Sequence, residues 1–282
     1  MRHARKKRYA DAMCVSGLYT SQGVTIYAAT TCVFVQMGRL GLAPHPNIIQ
    51  QVGPGFLGPG TEDVLCLPLE LCVGGDVMDA VQKSGHLPLA ACQHVFSQAA
   101  AALVHCHALG VYHLDVKPEN LFLTCKDVTV AVVKLGDFGR AVCEENRYGC
   151  MATHRPGTSV YAAPETYVPG FDVVKVDTWA LAVSMLVSAV GLFPWELACV
   201  DEDKSYRAWA SVWRKAEGPA TRREALRRLV TDAAAECAAA QLPDLFLDLC
   251  VAMLDPRPET RLGMADVAAH AWWQWRAACG CS

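Results

Sequence analysis

The sequence predicts an α+β chain with a small β-containing front and a large, mainly helical back. Three observations predict it. The front carries strand-like runs broken by Gly and Pro. From about Asp76 onward the apolar residues fall at helical spacing. Two brief β-like pieces, at 121–124 and 131–135, separate the first long helix from the later ones. The chain has 282 residues, 52% hydrophobic and 19% charged, with a net charge of -3. That is enough for the core of one large domain or two small lobes. High apolar content with low net charge excludes disorder as the main state. The near-neutral balance gives no general nucleic-acid footprint.

The start, MRHARKKRY, is basic but lacks a following apolar run and cleavage site, so no secretory signal is expected. Between Ala12 and Thr61 the only charge is Arg39, yet Ser, Thr, Gln, Gly and Pro interrupt the stretch. No membrane span is expected there. Within it, VTIYAATTCVFVQM is β-branched and reads as strand. Residues 41–60 read as turns around one short strand, Asn47 to Val52. DVLCLPLELCV, residues 63–73, reads as a buried strand running into Gly74-Gly75. Leu87 to Leu109 is Ala-rich and reads as a long buried helix stopped by Gly110. Val173 to Val190 is apolar on nearly all faces, as a core helix is. Thr221 and Glu224 fit a capping box at the head of a further helix, and the arginines at 222–228 read as its solvated face. Helices near 242–254 and 264–276 close the chain.

The 14 cysteines form no CxxC pair and no zinc-spaced Cys/His cluster. Most lie in apolar runs and read as small buried hydrophobes in a reducing compartment. A cytoplasmic location is expected, with the basic start leaving the nucleus open.

The chemistry concentrates between residues 113 and 165. HLDVKPEN puts Asp115, Lys117 and Asn120 on one short loop after the long helix. Asp137-Phe138-Gly139 follows the strand-like VVKLG, and GTSVYAAPE ends at Glu165. Phosphoryl transfer depends on positioning and charge more than on covalent work by the protein. A carboxylate such as Asp115 can orient an attacking hydroxyl and accept its proton. The Lys117 ammonium can neutralise the moving phosphoryl group. Asn120 and Asp137 can supply oxygen ligands to Mg²⁺, a hard cation.

On these motifs the sequence resembles the eukaryotic protein kinase family, of the Ser/Thr type, over roughly residues 45–275. The resemblance implies a two-lobed protein-kinase-like fold, Mg·ATP as cosubstrate, and a protein substrate. HLDVKPEN is similar to the catalytic loop, GDFG to the metal-binding loop, and YAAPE to the APE motif. HPNII is similar to the segment joining the family's αC helix to its fourth strand, and LELCVGGD to the hinge. The resemblance then makes Leu69 the gatekeeper, sets backbone groups of Glu70 and Cys72 against adenine, puts Asp76 at the ribose, and lays Phe122 beneath the adenine ring. Asp177 matches the aspartate that holds the catalytic loop, and Arg261 the arginine that pairs with the APE glutamate, here Glu165. His113 packs as a spine residue. Gly157-Thr158 before YAAPE matches the Ser/Thr type. Trp195, Tyr206 and Trp209 match the packing residues of the αG region.

The front departs from the family. No GxGxxG precedes the hinge, and no lysine occurs between Arg8 and Gln82. Distance to His45 makes Lys7 the candidate for the lysine of the third strand. The αC glutamate is absent, its place falling near residues 34–36. Leu114 stands where many members carry Arg, which predicts little dependence on activation-loop phosphorylation.

The reading is a partial small lobe at 1–69, with hinge and large lobe at 70–282. Its function is transfer of the γ-phosphoryl of Mg·ATP to Ser/Thr hydroxyls of proteins, with no nucleic-acid and no membrane partner. The alternative is a catalytically impaired pseudokinase serving as an interaction scaffold.

Overall fold

The structure, a computed structural model, describes residues 18–21, 24–29, 38–41, 43–57, 65–146, 159–215, 218–233 and 242–275. The front is a four-stranded antiparallel sheet. Its strands are β1 (Leu18–Ser21), β2 (Val24–Ala29), β3 (Phe56–Leu57) and β4 (Leu65–Glu70), in the order β1-β2-β4-β3. β4 is central and pairs along its whole length with β2, from Ala29 opposite Leu65 to Val24 opposite Glu70. Its Cys66, Leu67 and Leu69 are buried, so the strand is covered on both faces and reads as an unbroken apolar run. Pro68 survives there for a geometric reason. Its carbonyl accepts from Val52 N–H, so its nitrogen also faces the 50–53 segment rather than β2, and no β2 hydrogen bond is lost.

The strand expected at Asn47 to Val52 takes a different form. The segment is extended but belongs to no single sheet. Ile48 bridges Leu135 of the large lobe in parallel, and Gln51 bridges Leu69 of β4. It therefore links the two lobes instead of extending either one.

The back begins with α1 (Val77–Ser84), capped by Asp76, whose carboxylate accepts from Asp79 N–H at 2.8 Å. α2 (Leu89–Ala108) follows and stops where Gly110 turns to φ 65. Short antiparallel pairs join β5 (Val111–Tyr112) to β8 (Val142–Cys143), and β6 (Leu121–Leu123) to β7 (Val133–Leu135). The core helix is α3 (Val176–Val190), entered through a 3₁₀ turn at Val173–Lys175. Every residue of α3 is buried. Val173–Val190 is the one stretch among the described residues long and apolar enough to cross a membrane, and 89% of it is buried inside this fold.

The back is completed by α4 (Lys204–Arg214), α5 (Pro219–Ala233), α6 (Asp244–Met253) and α7 (Met264–Ala268); α6 packs on α3, α5 packs on α4 and α6, and α7 packs on α2. Trp179, Trp195, Tyr206 and Trp209 are buried together, with Trp209 Nε1 donating to Leu254 O at 3.0 Å.

Two expectations need correction. The helix expected to begin at Thr221 starts two residues earlier, at Pro219, so Thr221 lies inside its first turn. Proline at the first helical position sets the start. Glu224 is an i,i+4 partner of Arg228 at 2.9 Å rather than half of a capping box. The arginines at 222–228 are also less solvated than expected. Arg223 and Arg227 reach across to Asp248 and Asp244 of α6.

Gly191 closes α3 at φ 79, and a Cβ there would lie 2.1 Å from the Gly85 carbonyl oxygen. Backbone against backbone cannot yield cheaply, and the left-handed angle adds strain. Gly191→Ala is expected to destabilise the fold by about 2–4 kcal/mol, a loss of several degrees in Tm by calorimetry. An unchanged Tm refutes that packing.

Candidate active site

The site is built upward from Asp177, in the first turn of α3. This wholly buried carboxylate accepts from the N–H of His113 and of Leu114, both at 2.8 Å, and His107 Nε2 lies 2.8 Å from its Oδ2. Those bonds fix the turn that enters the 113–120 loop. Leu114 is forced to φ 61, a left-handed angle rare for a branched side chain, while its side chain stays in the core. His113 is fully buried, its Nε2 2.9 Å from the Gly136 carbonyl oxygen and its ring edge-on to Phe138 at 4.8 Å. Burial alone would raise the Asp177 carboxyl. The hydrogen bond and charge of His107, with the His113 amide, outweigh it and hold the group below the usual carboxylate range.

The loop gathers the residues expected to carry chemistry. Lys117 Nζ lies 2.8 Å from Asp115 Oδ2. Asn120 Nδ2 donates to the Asp115 carbonyl at 2.7 Å and reaches Oδ2 at 3.2 Å. Both side-chain donors fall on Oδ2, and neither falls on Oδ1. The β6–β7 pair brings in Asp137. Leu121 faces Leu135, and Gly136 N–H donates to the Asn120 carbonyl at 3.0 Å. Asp137 is therefore one residue beyond the position opposite Asn120. Its backbone is left-handed at φ 58, and its Oδ1 accepts from Gly139 N–H at 3.2 Å. A carboxamide and a carboxylate oxygen so placed suit a hard cation. No group of three or more His, Cys, Asp or Glu among the described residues could hold a metal unaided.

The hinge reaches β6 through an isolated bridge between Asp76 and Phe122. Leu69 is 5% exposed. The Glu70 carboxylate is already engaged, accepting from Gln50 N–H at 2.8 Å and pairing with Lys134 Nζ at 2.9 Å. Burial, reinforced by Glu70, pushes the Cys72 thiol up to about 11. Asp76, expected at the ribose, spends one oxygen on capping α1, and burial raises its carboxyl. Phe122 lies directly over Gly136, where a Cβ would meet its ring at 2.6 Å. Gly74 packs on the backbone of Cys125 and donates to the Leu123 carbonyl at 2.8 Å, which docks the end of the hinge to the large lobe.

Lys7 lies outside the described residues, as do residues 34–36 and 147–158. β2, beside the hinge strand, has the sequence VTIYAA and holds no lysine. Downstream, Arg261 clamps Glu165 with two bonds of 2.6 and 2.8 Å. Two residues with structural parts were not legible in the sequence. His107 and Lys134 are ordinary polar residues there, and only their carboxylate partners, Asp177 and Glu70, give them a role.

Small β front, helical back, buried carboxylate under the loop, and paired carboxylate and carboxamide beside an ammonium together define a kinase-type phosphotransfer fold. The family profile of the protein kinase domain matches residues 36–273, and the chain belongs to that family. It is 29% identical over 259 residues to CBL-interacting protein kinase 22 of Oryza sativa subsp. japonica, covering 88% of this chain and 50% of that protein. It is 32% identical over 256 residues to CBL-interacting protein kinase 4 of the same plant, covering 84% and 49%. It is 28% identical over 241 residues to CBL-interacting serine/threonine-protein kinase 2 of Arabidopsis thaliana, covering 85% and 46%. The chain thus spans about half the length of these curated relatives.

Asp177→Asn keeps the shape but turns one acceptor into a donor facing buried N–H groups. A loss of about 3 kcal/mol is expected in denaturant unfolding. The folded carboxyl titrates below its unfolded value, so its contribution is complete above the usual carboxylate range and lost as pH falls through the folded value. The variant should therefore show a flatter decline of stability on acidification than the parent. Equal acid slopes would remove Asp177 from that role. Gly136→Ala must displace the Phe122 ring, at an expected cost of about 1–3 kcal/mol. Unchanged stability would mean that the ring has room to move.

Proposed function

We propose that the chain is a Ser/Thr protein kinase transferring the γ-phosphoryl of Mg·ATP to protein hydroxyls. One observation carries this reading: Lys117 and Asn120 converge on Oδ2 of Asp115, with Asp137 beside Asn120 across the β6–β7 pair. A substrate hydroxyl hydrogen-bonded to Oδ1 of Asp115 is oriented toward the phosphorus. As its oxygen bonds to the γ-phosphorus and the bond to the ADP oxygen breaks, Asp115 accepts the proton. Lys117 supplies positive charge to the phosphoryl oxygens in flight. Asn120 and Asp137 would hold Mg²⁺, which supplies charge neutralisation along the phosphates. Leu69, Glu70, Cys72, Asp76 and Phe122 would frame the nucleotide.

Ser/Thr proteins as substrates are supported by Gly157-Thr158 before YAAPE and by the names of the relatives. Cysteine usage supports a cytoplasmic location, since five of the eight described cysteines are buried, as small apolar residues of a reducing compartment are.

A second reading rests on β2, which offers no lysine to the phosphates. In that reading the cleft binds nucleotide but turns over slowly, and the chain serves as a scaffold. Thermal melting with and without Mg·ATP tests the nucleotide site. At a hundred times Kd the ligand stabilises by about 2.7 kcal/mol, a shift of several degrees. The shift should vanish in Asp137→Asn, and absence of any shift at millimolar nucleotide sinks the proposal. Asp115→Asn should then lower peptide phosphorylation by about 10²–10⁴-fold with the melting shift intact. A melting shift with no turnover in the parent favours the scaffold.

A further inference from the structure

The back of the large lobe holds a cavity of about 520 Å³ where α4, α5, α6 and the loop after α6 meet. Its size falls within the range of ligand sites. No residue of the catalytic loop or hinge lines it. Three guanidinium groups and two carboxylates do, leaving an excess of positive charge. Two of the three guanidiniums are neutralised. Arg223 Nη1 donates to both oxygens of Asp248, at 3.0 and 2.9 Å. Arg257 grips Asp255 through Nε and Nη2, each at 3.1 Å.

The third, Arg222, forms no ion pair among the described residues, and its Nε is buried without a hydrogen-bond partner. Its guanidinium carbon lies 3.8 Å from the centre of the Trp213 ring, with that of Arg257 at 5.3 Å. Trp213 is 7% exposed, and its indole Nε1 also lacks a partner. Buried N–H groups in folded proteins are nearly always paired, and an unpaired one is unfavourable. Two such donors sit on neighbouring residues that line one cavity with an excess of positive charge. Stacking on Trp213 also holds the Arg222 guanidinium in one orientation, so little is lost in ordering it when an acceptor arrives.

We propose that this cavity is a binding site for an oxyanion, a carboxylate or a phosphate, received by Arg222 and Trp213. The guanidinium supplies charge-assisted bonds and the indole adds a neutral donor. The site is separate from the nucleotide cleft, so its occupant need not be a nucleotide.

Titration of the ¹⁵N-labelled chain tests this, with inorganic phosphate and hexaglutamate peptide as separate probes. The chain has seven tryptophans, and the Trp213 indole signal is the one missing from Trp213→Phe. A saturable shift of that signal is expected with at least one probe. Phosphate alone acting identifies a phosphate ligand, and hexaglutamate alone identifies a carboxylate. Arg222→Gln should weaken binding at least about tenfold. Arg228→Gln, on the exposed face of the same helix, should leave it unchanged. If Trp213→Phe fails to fold, calorimetric titration of the two arginine variants gives the same comparison. No saturable response to either probe overturns the proposal. Equal weakening in the two variants also overturns it, since that marks general charge attraction.

Discussion

Asp177 lies in the first turn of a helix with no exposed residue, and its two oxygens take two backbone N–H groups and one imidazole. A buried carboxylate is tolerated only when its charge is answered by donors. Here the donors belong to the entry of the catalytic loop and the end of α2. The cost of burying the charge is thereby offset by bonds that hold His113 and Leu114 in one conformation. His113 passes the constraint on, since its ring meets the Gly136 carbonyl and the Phe138 ring. The loop bearing Asp115, Lys117 and Asn120 and the turn bearing Asp137 are therefore set by one side chain. Remove it, and two buried N–H groups lose their acceptor just where Leu114 is held at a strained angle.

The activation segment is tied down unevenly, and the chemistry of its contacts says where. At its far end Arg261 is fully buried, gives a fork of two short bonds to Glu165, and lies over Trp179 at 4.9 Å. At its near end Arg39 meets Glu145 at 2.9 Å, with the Arg39 side chain about a third exposed and that of Glu145 mostly so. Exposed pairs contribute little because water screens them and two long side chains must be ordered. Between them, Leu114 fills with a buried isobutyl group the position where a receptor arginine could stand. The near end is held besides by the β5–β8 pair, by Glu144 N–H donating to the Gly110 carbonyl at 2.8 Å and by Tyr112 donating to Glu144.

The catalytic motifs and the two long helices were legible because each is a local pattern. A loop that needs a carboxylate, an ammonium and a carboxamide spells them out within eight residues. A helix buried all round is apolar all round. Features built from two distant segments were not legible. The stretch Asn47 to Val52 has a strand's composition, but its partners are Leu135 on one side and β4 on the other. Lys134 sits in an apolar strand and would be taken for a solvated residue, because nothing local marks Glu70 as its partner. Arg223 and Arg227 look like one charged helix face until α6 presents its aspartates. At Pro219 two local signals competed, and the backbone preference of proline overrode the side-chain capping pattern at Thr221.

The lobes are joined by more than the chain at the hinge. The 47–51 segment exchanges hydrogen bonds first with Leu135 of the large lobe and then with β4, and Gln50 N–H reaches the same Glu70 carboxylate that Lys134 pairs with. Lys134 is 9% exposed, so the pair is screened far less than a surface one. Opening the cleft about the hinge must either separate these charges or carry β7 along with β4. The small lobe is thus attached through β4, while β2 and β1 lie on the far side of that strand. β2 has the sequence VTIYAA and holds no lysine, whereas Lys117 and Asn120 both meet the Asp115 carboxylate on the large lobe.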